Sequence, residues 1–264
     1  MSAADGLGGF GLLSAEGGVW WAVLVIVITG LPAVLAGAGL LAAGNPLTAP
    51  LAVALAGALT LGGTSLLGAA QRADAEGGLP SLYSRLGLEL VGWMVLWAFA
   101  LAGMQLVGRW LGPRVPARLR SEHLGEGVSL LGVDGPSLGA GVLTGVVGGG
   151  LSWVLIASHD PWQAMGGLIL GFAVGGLVGH SVLPRRRFGA ALASPGMVGV
   201  VIYLRTGWLY PPPTGADALL EAVYTQQLPG LAMALPVHYA TAGVVGVCLG
   251  LGAGQVIEKA QKGV

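Results

Sequence analysis

Long apolar stretches separated by short polar segments run through the chain from Val19 to Val256. An α-helix needs about 17–25 apolar residues to cross a hydrocarbon core of about 30 Å. The pattern predicts seven such spans, at 19–43, 50–70, 87–109, 138–157, 163–183, 189–205 and 231–256. Gly30 and Pro32 predict a kink in the first. The sixth holds only about 16 uncharged residues before Arg205, with Pro195 among them, and reads as short, broken or re-entrant. Trp93 and Trp97 lie in the third.

Within these stretches glycine recurs every fourth residue. Gly141, Gly145 and Gly149 form one ladder, Gly167, Gly171, Gly175 and Gly179 a second, and Gly246, Gly250 and Gly254 a third. In water each interior glycine costs a helix up to about 1 kcal/mol against alanine. In a bilayer the backbone must stay helical because it has no water to bond to. A glycine at every fourth position then presents a flat stripe that another backbone can approach closely. At about 100° per residue, Gly148 and Ser152 join the first ladder's face, and Tyr239 and Gly243 the third's. His180 points about 160° away from the second stripe, so ladder and imidazole serve different neighbours. The three faces can meet at one crowded centre.

Composition narrows the class. Only 9% of the 264 residues are charged and 54% are hydrophobic, against about 25% charged in a soluble domain. The 49 glycines follow no G-X-Y period, which excludes collagen. The chain reads as an all-α integral membrane protein, a compact glycine-rich bundle of about seven transmembrane helices. Zero net charge gives no electrostatic reason to expect nucleic acid. Cys248 is the single cysteine, so neither an internal disulfide nor a thiolate cluster can form.

Charge sets the expected orientation. Residues 1–18 hold no Lys or Arg and lack the basic start of a cleavable signal. With that segment outside, Arg109, Arg114, Arg118, Arg120, Arg185, Arg186, Arg187, Lys259 and Lys262 fall on the cytoplasmic side, and Arg72, Arg85 and Arg205 outside. This is the positive-inside bias of a cytoplasmic (inner) membrane protein. The domain layout is then an outer segment 1–18, a transmembrane domain 19–256 and a cytoplasmic tail 257–264. Loop 110–137 is cytoplasmic. Loop 206–230 is outer and holds an amphipathic helix after Pro211-Pro212-Pro213, with Thr214 as cap, Ala216, Leu219, Leu220 and Val223 on one face, and Pro229 as its end.

Candidate chemistry is sparse. No Asp, Glu, Lys or Arg falls at mid-span, which argues against a proton-coupled pump. The last span has no mid-helix lysine for a retinal Schiff base, since Lys259 and Lys262 lie past its end. Glu89, His159, Asp160 and His238 fall towards the outer side. Two imidazoles and two carboxylates can hold a divalent metal, and His159 with His238 can ligate a haem. Each also has a local use, Asp160 as the cap of the fifth helix beside Pro161. Gln105 reads as a buried amide satisfied by a neighbouring helix. Arg185, Arg186 and Arg187 mark the cytoplasmic surface and offer an anionic-lipid site. Gly166-Gly167 and Arg205-Thr206-Gly207 are similar in outline to two elements of prolipoprotein diacylglyceryl transferases. Met165 and Trp208 stand where that family has His and Asn, so no family follows.

Packing signals beside so little chemistry lead to a non-catalytic integral membrane subunit or scaffold. It would pack through its glycine faces against itself or other membrane subunits, in contact with the bilayer and without a cofactor. The alternatives are a channel or facilitator for a small neutral solute, and a haem- or metal-bearing electron-transfer subunit.

Overall fold

The computed structural model describes residues 47–61, 78–111, 129–158, 160–183, 187–209 and 227–263, with Glu221, Ala222 and Thr225 between. The expected first span, 19–43, lies outside the described residues, as do the end of the second, most of loop 110–137 and most of the outer amphipathic helix. The described chain is helical: α1 (Thr48–Leu61), α2 (Gly78–Leu111), α3 (Gly135–Leu155), α4 (Pro161–Val182), α5 (Gly189–Leu209), a single turn α6 (Gly230–Met233), and α7 (Pro236–Lys262). Five of these, α2, α3, α4, α5 and α7, are long and apolar enough to cross a membrane.

Local chemistry explains the ends. Asp134 caps α3: its carboxylate accepts from Ser137 N at 2.8 Å, and Ser137 Oγ accepts from Asp134 N at 2.8 Å. This reciprocal pair satisfies two otherwise orphaned donors. Asp160 caps α4 through Trp162 N at 3.1 Å, with Pro161 in the first turn. The third span begins earlier than its charge pattern suggests. Ser84 and Arg85 are exposed, but Leu82, Tyr83, Leu86 and Leu90 form a buried stripe that carries the helix back past them. At 1.5 Å per residue, the apolar stretch Leu82–Trp110 spans roughly 43 Å, more than the core requires. Glu89 therefore stays near one end.

The sixth span is neither short nor broken. α5 runs unbroken through Pro195 and past Arg205 to Leu209. Proline lacks the N–H that would bond the carbonyl four residues back. Here Ser194 Oγ donates to that carbonyl, Ala191 O, at 2.7 Å.

α4 is the central helix, packed between α3 and α7, while α3 and α2 both pack on α5, and α1 on α7. The three glycine ladders do not converge on one centre. A methyl on Gly175 would sit 2.5 Å from Thr144 O, and one on Gly171 would sit 2.7 Å from Gly148 O, so the α4 ladder lies on the Ala140–Thr144–Gly148–Ser152 row of α3. The α3 ladder faces elsewhere: Gly141 lies against Ala190, and Gly145 and Gly149 against Val198, all in α5. The α7 ladder meets the opposite side of α4, with Gly246 against Ile169 O, Gly250 against Ala173 and Leu177, and Gly254 against the His180 ring. Adjacent residues on a helix are about 100° apart, so rows 140/144/148 and 141/145/149 cannot face the same neighbour. Each ladder docks on a row of a different helix, making a relay α7–α4–α3–α5.

Candidate functional site

The last span is interrupted where it enters the bundle. Pro236 cannot donate to Ala232 O and its ring crowds that carbonyl, and here, unlike at Pro195, the helix breaks. Ala234 and Leu235 are accordingly extended, with ψ of 136° and 160°. Beyond His238 the helix is π-helical over Tyr239–Gly243 before resuming as α-helix from Val244. The segment from Leu231 to Cys248 is buried throughout, so its freed carbonyls require partners from the protein.

Three fully buried tyrosines from three helices provide them. Tyr83 of α2 donates to Ala232 O at 3.2 Å, Tyr239 of α7 to Leu231 O at 2.8 Å, and Tyr203 of α5 to Ala234 O. Their rings stack in series: Tyr83 and Tyr203 lie 5.9 Å apart and tilted, and Tyr203 and Tyr239 lie 5.8 Å apart, edge to face. Gly199 makes room for the Tyr239 ring, where a methyl would come within 3.0 Å. Gly243 does the same for Pro195, at 2.6 Å. Trp97 of α2 donates its indole N–H to Ala240 O in the π segment at 2.7 Å. His238 Nδ1 accepts from Leu235 N at 3.2 Å and closes the turn after the break.

Beside the π segment lies an apolar cavity of about 170 Å³, open on one side, between α2, α5 and α7. Met94, Trp97 and Leu101 form one wall and Leu192, Ala193 and Gly196 the other, with Leu131 and Val133 at one end.

The residues singled out as a metal or haem constellation have separate surroundings. Glu89 accepts from Trp93 Nε1 at 3.4 Å, Asp160 caps α4, and His238 is folded onto Leu235. His159 lies outside the described residues. Among the described residues no three His, Cys, Asp or Glu side chains gather to hold a metal. His180 lies far from His238, at the other end of α7, where its Nε2 is 3.2 Å from Glu258 Oε2. Gln105 donates to Ser129 Oγ at 3.4 Å, in the segment before α3 instead of a neighbouring helix. Arg187 pairs with Asp134 at 3.6 Å, and Ser129 and Arg187 form an isolated parallel bridge. Arg185 and Arg186 are outside the described residues.

The tyrosine clamp escapes a reading by spacing alone, because its members lie in three separate helices. Pro229 and Pro236, flanking six residues, were the available signal for the break itself. No family model matches the chain, and no curated protein or solved structure is significantly similar to it.

Proposed function

We propose that the chain is a non-catalytic membrane subunit or scaffold, with its arginine-rich end (Arg109, Arg187, Lys259, Lys262) in the cytoplasm. The observation that carries this reading is how the buried polar groups are used. The three tyrosines hold the carbonyls of the break. Ser152 holds Gly167 O at 3.1 Å, Ser194 holds Ala191 O, and His238 holds Leu235 N. These groups brace a rigid core. The three ladders are occupied by the chain's own helices, so a partner would be met through outer faces such as Leu88, Val95, Phe99 and Leu106 of α2, all exposed. Purification in mild detergent tests this. A complex with stoichiometric partners, or with further copies of the chain, is the expected outcome. A lone 26.3 kDa chain under all mild conditions would remove the basis of the proposal.

A second reading, a facilitator for a small neutral solute, draws on the interrupted last span. Broken helices line solute sites in many transporters, and π segments recur at functional positions. Solute flux into proteoliposomes, abolished by Tyr203→Phe with the fold intact, would favour it over the scaffold.

A further inference from the structure

The cavity beside the π segment has a wall without spare hydrogen-bonding capacity. The Trp97 N–H is spent on Ala240 O and the Tyr239 hydroxyl on Leu231 O. What it offers is hydrocarbon surface, and its 170 Å³ exceeds the roughly 150 Å³ that suffices for a dry apolar site to take a benzene-sized ligand. On the two helices that wall it, Val95 and Phe99 of α2 and Met197 and Val201 of α5 are exposed. Its end is formed by Leu131 and Val133, in the segment that carries Gly132, against which the Arg187 stem lies. The Arg187 guanidinium is half-exposed, and its 3.6 Å contact with Asp134 is longer than a hydrogen bond. An apolar groove thus ends at a loose Arg187–Asp134 pair whose guanidinium fork also matches a phosphate.

We propose that this groove seats a segment of one acyl chain of an anionic phospholipid whose phosphate pairs with Arg187. Exposed apolar residues of α2 and α5 flank the groove, and at its end the phosphate would take over the Arg187 guanidinium that Asp134 holds at 3.6 Å. Arg187 is on the expected cytoplasmic side, where anionic lipids attract such residues.

The test uses the full chain, purified in mild detergent and titrated with phosphatidylglycerol or phosphatidylcholine, with bound lipid counted by native mass spectrometry. One phosphatidylglycerol per chain is expected, retained at concentrations at least tenfold below those needed for phosphatidylcholine. Arg187→Gln should abolish that preference. Ala193→Phe, which fills the groove from a half-buried position, should lose the retained lipid while eluting at the wild-type volume. Ala193→Cys gives a readout that does not depend on tolerating a large side chain. It should react with a lipid-soluble maleimide and be protected by phosphatidylglycerol, with buried Cys248 unreactive. Equal retention of the two lipids, unchanged by Arg187→Gln, would overturn the proposal. So would an Ala193→Cys thiol shielded in lipid-free protein, since another part of the chain or a second copy would then fill the groove.

Discussion

A buried carbonyl that has lost its helical partner is expensive, and at the break in α7 the solution is a phenol. Tyr203 touches two other tyrosine rings and donates to Ala234 O. Tyr203→Phe keeps the ring contacts and leaves that carbonyl unpaired, at a cost of about 1–3 kcal/mol. Thermal unfolding in detergent should report a lower midpoint, and Ser194→Ala, which leaves Ala191 O unpaired beside Pro195 in the same way, should give a comparable loss. These residues were the least legible in the sequence. A tyrosine in an apolar run looks like any other large side chain until the fold brings an orphaned carbonyl to its hydroxyl. Asp160 was legible, because its partner lies two residues away and Pro161 announces the helix start.

At the scale of the element, the glycines divide into those that are crowded and those that are not. Gly175 and Gly246 would each put a methyl 2.5 Å from a neighbouring carbonyl oxygen, and Gly171 and Gly250 are as tightly enclosed, whereas Gly150, Gly166 and Gly252 have nothing within 4 Å. Gly171→Ala and Gly250→Ala should each destabilise the bundle by about 1–3 kcal/mol or more, the usual cost of overpacking. Gly150→Ala and Gly252→Ala should be neutral or stabilising by up to about 1 kcal/mol. Parallel thermal-shift curves for the four variants check this contrast, and equal losses in all four would contradict it. A period of four does not by itself sort the two kinds: none of the three open glycines belongs to a ladder, but Gly148, Gly176 and Gly199 are crowded outside the ladders, and Gly145 within one meets Val198 only at ordinary contact. It could not say which helix each row meets. That depends on how the helices are rotated, and a one-residue offset in α3 redirects its ladder from α4 to α5.

At the scale of the molecule, the two ends differ in their side chains. At one end Arg187 meets Asp134 and Ser129, Gln105 meets Ser129, and His180 pairs separately with Glu258. At the other, Arg205 lies over the Trp153 ring at 5.8 Å, and Trp162 and Trp208 are exposed, as befits side chains at a membrane interface. With the proposed orientation, Trp208→Cys should be labelled by an impermeant thiol reagent from outside intact cells, and Lys262→Cys only after the membrane is opened. The reverse pattern would invert the orientation. The helical membrane class was plain from the apolar runs. The interrupted entry to α7 was less plain: Pro229 and Pro236 flank it, but the apolar run between and after them does not report a change of backbone conformation.

The relay of helices also has a history in time. α3 and α4 are joined by a few residues and can close on each other as soon as both have left the ribosome. α7 emerges after the other described helices, yet it docks on the far side of α4. Until it arrives, the flank of the central helix from Ile169 to His180 lacks the partner it has among the described residues. The partly made protein would then be vulnerable to proteolysis and mispairing on that flank, and a chain stopped before Pro236 should be degraded without accumulating as a smaller bundle.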